Sequence, residues 1–312
     1  MVTILITGGT GMIGKALTAL LLQKGYKIII LTRVMPVQKP VESIGLSYAL
    51  WNVSKQTIDV KAIQKADYII HLAGANVAEK RWTDKRKKEI IASRTQSSAL
   101  LVKALNENSN QVKAVISASA VGWYGADPTI PNLHPFTEVN AAAQDFLGET
   151  CRLWEESIAP VMYLGKRLVI LRTGIVLSKD GGALNEFIKP LRAGIAAILS
   201  DGKQVVSWIH TDDICRMYIQ AIEDHNMNGV YNAVAPKPVS NKQLTLQLAK
   251  TMRGKFFIPV HVPAFALKIG LGELSVEVLK SATISADKIR KAGFNFIYPS
   301  IEATINELIG KK

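Results

Sequence analysis

The chain has 312 residues, 48% of them apolar and 20% charged, enough to build a sizeable core and to exclude disorder as a description of the whole. Lys and Arg number 38 against 25 Asp and Glu, a net charge of +13. Two cysteines, Cys151 and Cys215, cannot make a disulfide framework, and five scattered histidines offer no metal-binding spacing. These features point to a cytoplasmic protein without a structural metal.

Strands and helices alternate from the start. Val2–Thr7 is a short β-branched apolar run and predicts a buried parallel strand. Gly14–Lys24 carries helical apolar spacing and stops at Gly25. Strands follow at Lys27–Thr32, Ser47–Trp51 and Asp67–Leu72, then a helix at Glu89–Leu105, a strand at Lys113–Ser119, a helix around Glu149–Glu156 and a strand at Arg167–Arg172. This alternation predicts an α/β fold of the Rossmann type, a doubly wound parallel sheet. Beyond Thr173 the pattern loosens, with Ser207–His210 and Gly229–Asn232 as further sheet-related segments and a mainly helical stretch from Pro236 that closes on Ile301–Ile309. The expected division is a nucleotide-binding body at 1–177 and 205–235 and a smaller, mainly helical lobe at 178–204 and 236–312.

The N-terminus has no basic segment before its apolar run, and no apolar stretch approaches the roughly 18 residues of a spanning helix. Neither a secretory leader nor a membrane partner is expected. Lys80–Lys88 is the densest basic run, with Asp84 as its one acid. It leads into a helical pattern and comes without a zinc finger, RNA-binding aromatics or an arginine-rich arm. It therefore reads as a solvated helix start and not as a nucleic-acid surface. Attraction of an anionic cofactor or small substrate is the simpler use of the charge.

The chemistry begins at Thr7-Gly8-Gly9-Thr10-Gly11-Met12-Ile13-Gly14, where glycines at 8, 11 and 14 lie between a strand and a helix. Such a loop turns tightly, brings backbone close to a pyrophosphate and aims a helix N-terminus at it. The second strand ends Leu31-Thr32-Arg33, and the first acidic residue of the chain is Glu42. An NAD site expects an acid at that strand end, whereas Thr32 and Arg33 suit the 2′-phosphate of NADP(H).

The glycine spacing, the strand-end His71-Leu72-Ala73-Gly74-Ala75-Asn76 and the later Trp208-Ile209-His210-Thr211-Asp212-Asp213 resemble the extended branch of the short-chain dehydrogenases/reductases. With Ser117-Ala118-Ser119-Ala120-Val121-Gly122-Trp123-Tyr124-Gly125, Leu171-Arg172-Thr173-Gly174-Ile175-Val176 and the C-terminal segment at about 262–309, the chain resembles an atypical subgroup of the NAD-dependent epimerase/dehydratase superfamily. The likeness runs the length of the chain. It implies a cofactor set of Gly8, Thr10, Gly11, Met12, Ile13, Gly14, Thr32, Arg33, Asn52, Leu72, Ala73, Gly74, Glu89, Arg94 and Val176. The Trp-Ile-His element is usually structural, joining the lobes.

The same resemblance exposes a departure. Standard members use Ser, Tyr and Lys, the last two in a Tyr-x-x-x-Lys helix. Here Asp145–Glu156 has neither: Leu147 and Cys151, or Phe146 and Thr150 in the adjacent register, take the two places. Ser119 matches the serine, and Tyr124 on the following loop is the candidate substitute acid. Glu138, Glu149 and Cys151 are weaker alternatives. Two readings follow. One is an NADP(H)-dependent oxidoreductase or epimerase-type protein acting on an unknown, anionic small molecule, as monomer or homodimer. The other is an NADP-binding regulatory or scaffold protein without turnover.

Overall fold

The computed structural model describes residues 1–36 and 45–310. Glu42 and the last two residues of the expected second lobe lie outside the described residues. In chain order the elements are β1 (Thr3–Thr7), α1 (Met12–Gln23), β2 (Lys27–Thr32), β3 (Leu46–Asn52), β4 (Thr57–Ile58), α2 (Val60–Lys65), β5 (Tyr68–His71), α3 (Asp84–Glu107), β6 (Ala114–Ala120), α4 (Phe146–Ile158), β7 (Arg167–Thr173), β8 (Ile175–Ser178) and β9 (Gly181–Gly182). There follow α5 (Ala183–Arg192), β10 (Ile195–Leu199), β11 (Val205–Val206), β12 (Trp208–His210), α6 (Thr211–Glu223), β13 (Gly229–Ala233), β14 (Val239–Ser240), α7 (Asn241–Arg253), β15 (Ile258–Val262), α8 (Ala264–Leu271), α9 (Leu274–Leu279), α10 (Asp287–Lys291) and α11 (Ile301–Ile309).

The main sheet has eight strands in the order β13-β7-β6-β5-β1-β2-β3-β4, all parallel to their neighbours except β4. Its centre is apolar on both faces, as a sheet covered on both sides requires. Strand periodicity sends Ile4 and Ile6 to one face, where Leu17 and Leu21 of α1 and Ile214 and Tyr218 of α6 pack. Leu5, Ile29 and Ile69 go to the other, against Ile63 of α2, Leu100, Leu101 and Leu105 of α3, and Ile158 of α4. Strand order reverses at β1, with β2 on one side and β5 on the other. In such sheets ligands bind in the crevice outside the carboxyl ends of the strands at that point.

A third cluster joins Leu184 and Leu191 of α5, Leu244 and Leu248 of α7, and Ile301 and Ile305 of α11 around Trp208. The Trp-Ile-His segment ties this region to the rest. His210 accepts from the Asp212 N–H and donates from Nε2 to Glu307, 2.9 Å away. Asp213, fully buried, accepts from the backbone N–H groups of Ile297 and Tyr298, each at 2.9 Å.

Two local expectations change. The third helix starts at Asp84, not Glu89, because Thr83 caps it by accepting from the Arg86 N–H. Most of the basic run therefore lies inside the helix, and Arg86 is buried and paired with Glu79 and Glu89. The region after Pro236 also holds strands, notably β15, whose Ile-Pro-Val-His-Val pairs parallel with β10. Ile258 donates to Gly194, so Pro259, without an N–H, falls on the open edge where it interrupts no ladder.

His71 links the glycine loop to the sheet. Its Nδ1 lies 2.7 Å from Thr7 Oγ1 and its Nε2 3.2 Å from Ser98 Oγ, and Thr7 Oγ1 also accepts from the Leu72 and Ala73 N–H groups. Complete burial, helped by the Arg94 charge, pushes the imidazole from 6.5 down to about 3. The unfolded chain binds a proton below pH 6.5 that the folded chain refuses, so this residue's contribution is complete above that pH and is lost toward pH 3. Urea unfolding at a series of pH values should show His71→Asn with a shallower acid slope than the wild type, the difference approaching ~1.4 kcal/mol per pH unit. Identical slopes would contradict the burial of a neutral imidazole.

Candidate functional site

The crevice at the head of β1 is built around the glycine loop. Gly8 takes φ +69°, and a Cβ there would lie 2.9 Å from the Leu72 carbonyl. A Cβ on Gly14 would sit 2.3 Å from the Gly8 carbonyl oxygen, so α1 can start this close to the loop only without a side chain. Gly11 precedes α1 without a side-chain capping bond, and the first turn holds no acid. Its free N–H groups and positive dipole end are therefore available to an anion, and the cradle fits a pyrophosphate. Thr10 and Gly11 are exposed and Met12 and Ile13 half-buried. Met12 Sδ would lie 3.1 Å from a Cβ on Gly182, so the β8–β9 hairpin, with half-buried Val176, closes against the start of α1.

Toward one edge of the sheet, Thr32 and Asn52 end the neighbouring strands β2 and β3. Arg33 is exposed just beyond Thr32. Asn52 accepts through Oδ1 from Ser54 and Lys55. Toward the other edge, β5 delivers Leu72, Ala73 and Gly74 beside the loop, and Arg94 lies against Gly74, its guanidinium carbon 3.2 Å from where a Cβ would be. Arg94 Nη1 donates to the carbonyls of Ala75 and Ile90. Glu89, by contrast, is turned along the surface of α3 toward Arg86 at 2.8 Å, which lowers its pKa through that hydrogen bond.

Ser119 and Tyr124 belong to one buried network. Ser119 Oγ donates to Glu155 Oε1 at 2.6 Å. Arg172 holds the same carboxylate with two nitrogens, at 2.8 and 2.9 Å, and donates to the Tyr124 hydroxyl at 3.1 Å. Tyr124 in turn donates to Asn232 Oδ1 at 2.6 Å. The Asn232 N–H donates to Glu138 Oε1. Trp123 lies over the Arg172 guanidinium at 3.6 Å. Where the sequence suggests a loop hydroxyl over the cofactor, the structure gives a fully buried Tyr124, stacked on Phe136, with its pKa raised by desolvation. Glu149 is exposed and paired with Arg152, apart from this network.

The register of α4 is settled by its packing. Leu147 and Cys151 face the end of β6, where a Cβ on Gly122 would meet Leu147 at 3.1 Å and Cys151 Sγ at 3.8 Å. Phe146 turns instead toward Trp82, ring centroids 4.7 Å apart, and Thr150 bonds back to the Phe146 carbonyl. Burial pushes the Cys151 thiol up to about 12, which makes it an inert group at neutral pH. Glu155 and Asn232 are not singled out by the sequence, and Arg172 is read there only as part of the Leu171–Val176 element. The signal for Glu155 is its spacing, two turns beyond Leu147 and one beyond Cys151 on the same helical face.

Comparison with known proteins agrees with this architecture. Residues 4–233 match the model of the NAD dependent epimerase/dehydratase family. The chain belongs to that family. Residues 262–308 match a domain of unknown function, DUF1731. Among relatives of this epimerase/dehydratase chain is the epimerase family protein YfhF of Bacillus subtilis, 32% identical, with 99% of this chain and 98% of that protein covered. The crystal structure of human epimerase family protein SDR39U1 (isoform 2) with NADPH superposes with a TM-score of 0.84 at 24% identity, covering 98% and 99% of the two chains. A nucleoside-diphosphate sugar epimerase from Corynebacterium glutamicum gives a TM-score of 0.77 at 34% identity, covering 99% of this chain and 58% of that one. Among the described residues no helix is long and apolar enough to cross a membrane, and no three His, Cys, Asp or Glu side chains cluster to hold a metal.

Removing one member of a buried charge pair leaves the other uncompensated. Glu155→Ala should therefore cost about 3–5 kcal/mol of stability in a urea titration. Ser119→Ala, which leaves the Arg172–Glu155 pair intact, should cost far less. Equal losses would show that the ion pair is not the dominant interaction.

Proposed function

We propose that the chain binds NADP(H) and performs reductase- or epimerase-type chemistry on a small, anionic carbonyl or nucleotide-sugar substrate. The observation that carries this is the end of β2: Thr32 and Arg33 stand where an NAD site needs an acid, directly across from a glycine cradle for the pyrophosphate. The NADPH held by the human relative of similar fold supports the same cofactor. Gly8, Thr10, Gly11, Met12, Ile13 and Gly14 would receive the pyrophosphate, Thr32, Arg33 and Asn52 the adenosine side, and Leu72, Ala73, Gly74, Arg94 and Val176 the remainder. Glu89 would act from the border of the site.

When bound, the cofactor would supply or accept the hydride. Ser119 would orient the reacting carbonyl or pass a proton toward Glu155, to which it is already hydrogen-bonded. Tyr124 would shape the pocket wall, or reach the substrate if the loop carrying it moves. Free thiols at Cys151 and Cys215, both buried, suit a reducing cytoplasm. A monomer or homodimer serves this reading equally.

A second reading has its own observation. Leu147 and Cys151 fill the places of Tyr and Lys, and the hydroxyls of Ser119 and Tyr124 are already bonded within the protein. That arrangement supports an NADP-binding regulatory or scaffold protein.

Fluorescence titration separates the main reading from its rivals. NADPH should bind much more tightly than NADH, and Arg33→Ala should weaken NADPH by about tenfold or more, the worth of one charge-assisted hydrogen bond, while leaving NADH unchanged. Equal affinities in the wild type would overturn the assignment to NADP(H). A substrate-linked hydride transfer lost in Ser119→Ala would eliminate the scaffold reading.

A further inference from the structure

Charge is distributed unevenly along this chain. From His225 to Gly272 the sequence holds Lys237, Lys242, Lys250, Arg253, Lys255 and Lys268 and not one Asp or Glu. All six cations are exposed. Arg253 turns its guanidinium to the Leu191 and Arg192 carbonyls, and none of the six pairs with a carboxylate among the described residues. A surface that carries cations and lacks acids attracts an anionic partner.

The same stretch also presents apolar side chains to solvent. β15 pairs with β10 in the register Ile195 to Ile258 and Ala197 to Val260. One face of this ribbon buries Ile198 and Ala196, which joins the Trp208 cluster. The other face leaves Ile195, Ile258 and Val260 exposed. α8 follows at once, reads Ala-Phe-Ala-Leu-Lys-Ile-Gly-Leu and has no buried residue. Phe265 and Ile269, one turn apart, are 67% and 71% exposed. Phe265, Lys268 and Val276 of α9 line an open hollow of about 330 Å³. Apolar side chains gathered in this way mark an interaction surface, whereas scattered ones need no explanation.

A second basic stretch is fastened to this hairpin. Arg81 donates to the carbonyls of Ile269 and Gly270 near the end of α8, and Lys87 pairs with Glu273 just before α9. The run Lys80–Lys88 therefore borders the apolar helix, with Lys80, Lys85 and Lys88 exposed. The nearby acids are engaged: Glu79 and Glu89 with Arg86, Glu273 with Lys87, and Glu277 with Lys280. Asp84 is the exception.

The combination selects the occupant. A second copy of this chain would bring the same cations to the contact and repel it. A nucleic acid would suit the lysines, but Ile258, Ile269 and Val276 offer its bases nothing to stack on. A phospholipid surface with anionic headgroups satisfies both features at once. The expectation of no membrane partner comes from spanning length, whereas lying on a surface needs only an apolar side with a basic border. We propose that α8 and the open face of the β10–β15 ribbon seat the protein on an anionic lipid surface. Phe265, Ile269 and Ile258 enter the headgroup boundary, and the surrounding lysines meet the headgroups. Neither cofactor nor turnover enters, so this surface is independent of the NADP(H) reading.

The test is sedimentation of the full chain with vesicles of phosphatidylcholine alone or mixed with phosphatidylglycerol. Binding should be about tenfold or more tighter to the anionic vesicles and should weaken as salt is raised. Phe265→Ser combined with Ile269→Ser should weaken it by about tenfold or more, with the melting temperature unchanged because both side chains are exposed. Lys255→Gln and Lys268→Gln should each weaken it by about fivefold, and Lys61→Gln on α2 should leave it unchanged. Ile269→Cys carrying an environment-sensitive fluorophore should shift to the blue on anionic vesicles, since Cys151 and Cys215 are buried and escape labelling. No preference for anionic vesicles, full binding by the double serine variant, or an unshifted fluorophore would each overturn the assignment. A wild-type dimer that the double serine variant dissolves would assign the face to a second copy instead. Tighter binding of a single-stranded oligonucleotide than of vesicles, lost in Lys255→Gln and Lys268→Gln, would assign it to nucleic acid.

Discussion

A guanidinium enclosed by protein must find its compensation within a few ångströms, and Arg172 organises its surroundings accordingly. Two of its nitrogens hold Glu155, which draws α4 onto the end of β7. The remaining donors reach the Tyr124 hydroxyl and the Glu138 carbonyl, which pins the loops after β6. Ser119 completes the carboxylate, and Asn232 completes the tyrosine. Four strands and helices thus meet on one charge pair. Burying it is costly in itself, and its value lies in allowing one arrangement of the elements around it.

That arrangement determines what the crevice can offer a ligand. With Glu155 fixed, the turns of α4 before it present Leu147 and Cys151 to the end of β6 and leave Phe146 to Trp82. The wall is apolar where related enzymes are cationic and phenolic. Polar side chains stand next to it, Arg94 on α3 and the Ser119–Glu155 pair. Beside this wall stands the tight cradle around Gly8 and Gly14.

Legibility in the sequence followed the range of the interactions. Strand Lys27–Thr32 and helix Ile301–Ile309 are readable to the residue because periodicity and end signals are local. The glycine loop is readable for the same reason, since its steric demands lie within a few residues of one another. The start of α3 is not legible because the basic run hides the cap at Thr83. Strand β15 is not legible because its pairing with β10 is decided more than fifty residues away. The network of Arg172, Glu155, Tyr124 and Asn232 joins residues up to 108 apart in the chain, and no window along the sequence contains it. Tyr124 accordingly reads as a loop hydroxyl in sequence and lies fully buried in space.

The junction at Asp213 bears on how the molecule is made. Its carboxylate is fully enclosed; Arg216 donates to it from the same helix at 3.1 Å, and the two amides that complete it belong to Ile297 and Tyr298. During synthesis α6 leaves the ribosome long before those amides exist, so until then the acid at the heart of the fold has only Arg216 of its own helix beside it. At translation speeds of about 5–20 residues per second, that interval lasts several seconds. The Rossmann portion is therefore complete in sequence well before it can be complete in structure. The segment at Ile297 and Tyr298 closes the fold over α6, and a product cut short before it lacks this closure.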